Sequence, residues 1–598
     1  MLASSTVLAA RLVPAAGARS ERRVLMLAGL GYLLAAVVVT MWLWRDPASR
    51  IVAGNPNDSN QLAWYFRYDA TAVAHFRLPA LTTEAMNAPQ GISVMWNTFM
   101  LLPGILLAPL TLLAGPQVSL TLLMTIGFAG SAFAMFVVLR RWGASTLAAA
   151  LAATVYGFSP ALIQSSMGHY DLQFAVLPPV IADAALRLVT GRGQALRCGI
   201  WLGLLAAAQI FITEEILFDT GVAVAVMIAV LLISRWRAVR PRDTCVGLAT
   251  AAVVTGVIAG YPLGVQFFGP LRQHTSPFTP DFYKNDLAGF VQPSSSLMLH
   301  TSGSAAFADT FQGNLTEYLA YLGWPMLAVL VVVAVVFWRR LPVRVTVVAF
   351  VVLSVFSLGG TLLAGGHEHE AIKLPWYWLQ TLPVTGSVLP DRFSIVADGA
   401  AAAAFAFGFD AARERWPRLE PLVAFLAAIA IVPLIPKPLA VTSAAPVPAG
   451  WSAAFSALRL PDDAHVVVVP IPVSTFTEPL RWQADTKEPG SMVGGYYMGP
   501  TWTGASATDG NGLSSEGMYL NQLWAESAHV SIADLATLPV NQLYPSVLQM
   551  DAQVRAWHAS AIVAVTSAGS VLGRYLTGWL GPPAVRSGQV LAWRIPAR

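Results

Sequence analysis

Charge is scarce in this sequence. Of 598 residues, 11% are Asp, Glu, Lys or Arg, less than half the share of about 25% typical of a soluble domain. That deficit excludes an ordinary cytosolic enzyme, a disordered chain and a nucleic-acid binder as readings of the whole chain. Cysteine is nearly missing too. Cys198 and Cys245 are the only two, which gives neither a disulfide framework nor zinc-ligand spacing. The chain has no GxxxxGK[ST] phosphate loop, which argues against ATP-driven transport, and no GxSxG elbow or HExxH helix.

Hydrophobic residues fill the space left by charge. They make up 56% of the chain, and mean hydropathy is +0.59. This is the composition of a polytopic α-helical membrane protein with some water-exposed mass. The formal net charge of +4 comes from Arg residues clustered in short stretches between apolar runs. Such clusters mark the cytoplasmic side of a membrane protein rather than a nucleic-acid surface.

A helical span needs about 20 mostly apolar residues. About 11 runs qualify: 24–44, 118–139, 145–164, 172–189, 198–213, 216–234, 245–268, 319–338, 343–364, 394–412 and 421–436. Arg11, Arg19, Arg22 and Arg23 precede the first run and put the N-terminus in the cytoplasm. The run is too long for a signal-peptide core, and no small-residue cleavage site follows it, so it reads as a retained helix. The run 99–114 is broken by Pro103, Gly104 and Pro109 and reads as a re-entrant or interfacial helix that does not cross. That choice keeps Arg140, Arg141 and the basic loops 192–197, 235–242, 339–344 and 413–418 inside. These inner loops are too short to hold a nucleotide-sugar domain.

The expected organisation is a cytoplasmic tail over 1–23, a transmembrane domain over 24–436, and an extracytoplasmic C-terminal α/β domain over 437–598. The transmembrane domain carries outward loops at 45–98, 270–318 and 365–393. In the C-terminal region, strand patterns at 465–472, 561–566 and 590–595 alternate with helix-like stretches at 547–557 and 570–579. A linker at 442–450 leads into it.

Several stretches carry residues suited to chemistry. The first loop, from Asn55, reads NPNDSNQLAWYFRYDATAVAH. Asp58 lies among Asn55, Asn57, Asn60 and Gln61, with Trp64 and Tyr68 just beyond. A helix from Ser59 onward fits, and Asp58 is either its N-cap, a catalytic carboxylate, or both. NAPQGISVMWN (87–97) carries Trp96 and Asn97 into the broken helix, where Trp is also the ordinary belt residue of a membrane interface. GHYDLQ (168–173) holds His169 and Asp171, as surface groups or cavity lining. Glu214, Glu215 and Asp219 put acids at membrane depth, where ionisable groups are costly and face polar cavities. Alternating residues of HEHE (367–370) point opposite ways when extended, which favours a solvated loop over a metal site. Arg392 in PDRF (390–393) opens a helix and suits either a phosphate or a salt bridge to an acid such as Asp391. GGYYMGPTW (494–502) reads as a stacking platform for a glycan or as a packed turn.

The NDSNQ loop, the PQG…WN segment, GHYDLQ and PDRF together resemble the GT-C superfamily of integral membrane glycosyltransferases, over about residues 25–436. The likeness is to bacterial members of actinobacterial-type envelopes. It implies an inverting transfer of a sugar from a polyprenyl-phosphate donor to an envelope glycan, lipid or protein acceptor. The reaction would run on the extracytoplasmic face of the bacterial plasma (inner) membrane. Donors carrying mannose, arabinose, glucose or galactose all fit.

The resemblance implies Asp58 as the base that takes the acceptor's proton, and Arg392, His169 or Lys373 as holders of the phosphate. Glu214 and Glu215 would orient sugar hydroxyls. Trp64, Tyr68 and Trp96 would stack on the sugar or the lipid. Asn57, Asn60, Gln61, Asn97 and Asp171 complete the expected substrate contacts. Many members carry paired acids where this chain has Asn57 before Asp58, so no cofactor is assigned and a divalent cation stays open. The rival readings are a secondary transporter or flippase of a glycolipid, and a non-catalytic scaffold of envelope assembly. Against transport, the chain has no internal repeat, and its polar residues gather at helix ends rather than at mid-membrane.

Overall fold

The computed structural model describes residues 18–596, except 98, 192, 274–278, 280, 383–384, 487, 489, 501–506, 510–512 and 530–544. Most of the expected tail 1–23, and Thr501 and Trp502 of the 494–502 run, lie outside the described residues.

Among the described residues, seven helices are long and apolar enough to cross a membrane. They are Ser20–Val39, Pro116–Arg141, Thr146–Ser165, Glu214–Arg235, Pro241–Phe268, Pro390–Arg415 and Pro417–Leu434. Four shorter apolar helices accompany them: Leu101–Ala114, Ala195–Ile210, Gly323–Phe337 and Leu341–Ser357. The protein is a polytopic helical membrane protein with a C-terminal region that contains a β-sheet.

Two expected runs take a different form. The run 172–189 becomes a 14-residue helix, Leu177–Thr190, which starts late because His169–Gln173 forms its own short turn of helix. The run 343–364 stops being helical at Ser357. Gly359 then takes a left-handed backbone (φ +77°), and Thr361–Ala364 pairs antiparallel with His367–Lys373.

Small residues bring the helices together. Ala400 to Ala404 are all buried on the Phe393–Arg415 helix. A Cβ on Gly157 would come 2.4 Å from the Ala132 Cβ, so this crossing requires glycine. Lipid gives no hydrophobic drive between helices, so close approach through small residues supplies the packing.

The C-terminal sheet has five strands, in the order Val585–Ser587, Val590–Arg594, Ala559–Val565, His465–Val469, Ser491–Met492. The last three run parallel and the first two pair antiparallel. Side chains alternate along His465–Val469. Val467 and Val469 enter a core with Leu572 and Trp593, while Val466 and Val468 face the other way. That second core also contains Trp64, Tyr65 and Ile92 from the first long loop, and Phe99 just after it. The expected linker also begins as a strand, since Val441–Ser443 pairs with Arg50–Val52.

The loop and the C-terminal region are further joined along two helices, Pro56–Ala74 and Glu478–Thr486. Thr477 Oγ1 donates to Asn57 Oδ1 (2.8 Å) and accepts from Asn60 Nδ2 (3.1 Å). Trp64 Nε1 donates to Gln483 Oε1 (2.8 Å), and Arg67 Nε donates to the Ala484 carbonyl (2.6 Å). Arg481 is buried and donates to Asp485 (2.7 Å), Gln117 Oε1 (2.9 Å) and the Ala48 carbonyl (3.2 Å). Gln117 belongs to the Pro116–Arg141 helix, so one guanidinium ties the sheet region to the membrane helices. Arg481→Ala is expected to cost about 2–4 kcal/mol, less than a fully buried pair because Asp485 is partly exposed. Thermal unfolding of the detergent-solubilised protein measures it, and an unchanged transition would refute the clamp.

Candidate functional site

The Pro56–Ala74 helix starts earlier than the sequence suggests. Pro56 occupies the first turn, where its missing N–H costs nothing, and Asn55 is the cap residue. Asp58 is therefore not the N-cap. It sits inside the first helical turn, where the helix dipole favours an anion. Asn55 Nδ2 donates to Asp58 Oδ2 (2.8 Å). The loop is held against the 160s by Asn55 N, which donates to the Met167 carbonyl (2.7 Å). Gly168 completes the approach, because a Cβ there would stand 2.9 Å from Asp58 Oδ2.

Asp58 opens onto a cavity of about 380 Å³. Gln61, Trp96, Asn97, His169 and Asp171 also line it. So do Glu214, Glu215 and Arg392, from two membrane helices. Five expected site residues lie outside that lining. Asn57, Asn60 and Trp64 turn their polar atoms to the 477–486 segment instead, from a strip of the helix that runs beside the one carrying Asp58 and Gln61. Tyr68 stacks on Trp64, with ring centroids 5.4 Å apart. Lys373 lies on the exposed hairpin strand, its Nζ 4.3 Å from the Tyr377 ring centroid.

The HEHE stretch is an exposed strand of the same hairpin, in which Glu368 pairs with Lys284. Among the described residues, no three His, Cys, Asp or Glu side chains gather as a metal-binding group.

A chain of alternating charge runs through one end of the cavity. His169 Nδ1 stands 3.6 Å from Asp58 Oδ2, and its Nε2 stands 2.9 Å from Glu317 Oε1. Arg392 Nη2 donates to Glu317 Oε1 (3.1 Å), and its Nη1 is paired with Glu215. Glu215 also accepts the Leu389 backbone N–H (2.8 Å). Burial opposes charge on His169, but Glu317 foremost, and Asp58, outweigh it and push its pKa up to about 9. Burial also works against Glu317, yet Arg392 and His169 hold its carboxyl well below the usual range. Burial raises the Asp58 pKa above the ordinary carboxylate value, a rise that His169 and the Tyr496 hydroxyl (2.8 Å from Oδ1) partly offset.

A second polar group joins Glu214, Gln266 and Trp96. Glu214 Oε2 accepts from Gln266 Nε2 (3.0 Å), and Trp96 Nε1 donates to the Gln266 carbonyl (2.8 Å). Glu214 Oε1 and Gln266 Oε1 are buried with no partner among the described residues. Leu62, Phe99, Met100, Leu101, Phe211 and Phe218 give the cavity an apolar wall.

Glu317, Tyr496, Asn55 and Gln266 were not foreseen as site residues. Glu317 had one usable signal, a lone acid just ahead of an apolar run. Tyr496 lay in the aromatic run 494–502, which the sequence marks as a stacking platform or a packed turn but not as a partner of Asp58, and Gln266 had no signal, since only the tertiary fold brings it to the cavity.

Residues 26–388 match a family described as Domain of unknown function (DUF6311). No curated protein matches the chain significantly. Among solved structures, the arabinofuranosyltransferase AftD from Mycobacteria aligns with a TM-score of 0.50 and 16% identity, over 96% of this chain and 40% of that one. ArnT from Cupriavidus metallidurans bound to undecaprenyl phosphate aligns with a TM-score of 0.45 and 12% identity, over 94% and 97% of the two chains. The chain therefore spans 40% of the length of AftD. The likeness to AftD gives the fold, which is the expected GT-C type.

The His169 pairing sets a pH dependence. The folded pKa of about 9 exceeds the ordinary value near 6.5. The charged pairing therefore contributes fully below about pH 6.5 and is lost as pH rises through about 9. NMR titration of labelled histidine should give a midpoint near 9 for His169. Glu317→Gln should lower that midpoint toward 6.5 or below; an unmoved midpoint would show that Glu317 does not govern it.

Proposed function

Because the chain belongs to the DUF6311 family, a domain of unknown function, we propose its activity from the cavity itself. The protein is a membrane glycosyltransferase that moves a sugar from a polyprenyl-phosphate donor to a hydroxyl of an envelope glycan, lipid or protein acceptor. The observation that carries this reading is a buried carboxylate, Asp58, in the first turn of a helix at the edge of a cavity lined by both charged and apolar side chains. A volume of about 380 Å³ lies within the range of small-ligand sites. The shared fold with an arabinofuranosyltransferase agrees with it.

In this reading the acceptor oxygen attacks the anomeric carbon as the bond from that carbon to the lipid phosphate breaks. The electron pair leaves with the phosphate, and Asp58 takes the acceptor's proton. A single displacement inverts the anomeric centre. Burial raises the affinity of Asp58 for a proton, which suits a base at neutral pH. The leaving phosphate needs positive potential rather than an acid. Arg392 and His169 supply it, although both terminal amino groups of Arg392 are engaged by Glu215 and Glu317. Trp96 and the unpartnered oxygens of Glu214 and Gln266 suit a sugar ring and its hydroxyls, and the apolar wall suits the first isoprene units.

The proposed topology has eleven crossings, a cytoplasmic N-terminus and a plasma-membrane location. The cavity, the 45–98 loop and residues 437–598 then face the extracytoplasmic side. Donor turnover tests the activity. Wild-type protein in nanodiscs, given a panel of polyprenyl-phosphate sugars and crude envelope acceptors, should form a covalent product. Asp58→Asn should be roughly 10²–10⁴-fold slower while remaining folded. Equal turnover would move the base elsewhere, and a substrate that crosses the membrane without a covalent product would favour a transporter.

A further inference from the structure

Asp58 has three neighbours. Its Oδ2 faces Asn55 and His169, which belong to the same part of the chain as the membrane helices. Its Oδ1 accepts the Tyr496 hydroxyl at 2.8 Å, and Tyr496 lies 438 positions further on, in the sheet region. We infer that Tyr496 is a positioning residue for Asp58, and that the C-terminal region is thereby a working part of the active centre rather than an appended module. This rests on the reading of Asp58 as the base.

The backbone around Tyr496 is pinned rather than free to swing. Gln61 Nε2 donates to the Tyr496 carbonyl (2.6 Å). Two residues on, the Met498 N–H donates to Asn97 Oδ1 (2.7 Å), and Asn97 Nδ2 donates back to the Met498 carbonyl (3.2 Å). Upstream, Asn87 N donates to the Gly494 carbonyl and Gly495 N to the Pro472 carbonyl, both at 2.8 Å. Gly495 lies so close to the first loop that a Cβ would come 2.4 Å from Met86 Cγ. Gln61 and Asn97 line the cavity, yet their polar atoms hold this strap. Their part is to fix Tyr496, not to read a substrate.

The strap has a chemical consequence. A phenol that donates to one carboxylate oxygen fixes the plane of the carboxylate and favours its ionised form. Asp58 then meets the acceptor hydroxyl already deprotonated and aimed, with a remaining lone pair free to take the proton as the bond from oxygen to the anomeric carbon forms. Removing the phenol O–H leaves the carboxylate in place but less well aimed and easier to protonate.

The test uses the full-length protein in nanodiscs and compares wild type, Tyr496→Phe, Asp58→Asn and the double variant. Tyr496→Phe should keep its thermal unfolding transition and its KM for donor. Its kcat at neutral pH should fall roughly tenfold to a hundredfold, as for loss of one hydrogen bond to a charged group. The acid limb of its pH profile should move up by about one unit. The double variant should be no slower than Asp58→Asn, since the phenol acts only through the carboxylate. Difluorotyrosine at 496 preserves shape while making a stronger donor, and should move the acid limb down. Wild-type kcat and pH profile in Tyr496→Phe, a change confined to KM, or an unmoved limb with difluorotyrosine would overturn the inference. A wild-type protein without turnover, or an Asp58→Asn protein with full turnover, overturns the underlying reading and this inference with it. The two failures are therefore distinguishable.

Discussion

Taking a carboxylate out of water costs several kcal/mol unless a partner compensates it. At one end of the cavity this constraint organises the whole site. Asp58 and Glu317 come from loops, and Glu215 and Arg392 from the starts of two membrane helices. His169 sits in the turn between two others. Each of these groups is intolerable alone at this depth, and each is acceptable because the next has the opposite sign. Two helix starts, two loops and a turn are obliged to meet where their charges do. Five carboxylates line the cavity against Arg392 and His169 among the described residues, so the surplus of acids makes the two cations decisive. Positive potential in the cavity is therefore confined to the surroundings of these two groups.

How legible this was depended on range along the chain. The apolar runs and Arg clusters foretold the membrane helices, because length and composition are local properties. The three strand patterns at 465–472, 561–566 and 590–595 were legible for the same reason, and all three joined one sheet. Asp58, His169, Glu215 and Arg392 were legible because a charged residue beside an apolar run has few other uses. Their pairing was not, since nothing local ties Arg392 to Glu317 and Glu215, which lie 75 and 177 positions away. The helix start was misread by three residues because an Asn–Pro step starts a helix as well as an Asp does. Asn57, Asn60 and Trp64 looked equivalent to Asp58 and Gln61 in sequence. A helix of 3.6 residues per turn sets them on a neighbouring strip, and only a partner segment 420 residues away reveals what that strip is for.

The first loop and the C-terminal region were expected as separate bodies. They form one core, with Trp64 and Tyr65 packed among the residues of the distant sheet. The cause is partly numerical. The strands of that sheet are short, and on one face they bury too little apolar surface to stand alone. Aromatic residues from the loop complete the layer. In return the loop gains a rigid backing, and the helix that bears Asp58 is held between membrane helices and sheet.

Such a shared core imposes an order of events on biosynthesis. The helix that carries Asp58 leaves the ribosome early, and its remaining partners lie more than 400 residues behind. At about 5–20 residues per second, roughly 20–90 s separate Asp58 from Tyr496. Through that interval the first loop waits on its side of the bilayer with Trp64 and Tyr65 uncovered, a ready target for a chaperone or a protease. Contacts this distant in sequence close last and slowly. A chain interrupted anywhere before the sheet would leave the ribosome without the Tyr496 hydroxyl beside Asp58. The fold thereby withholds a finished site until the last strand has docked.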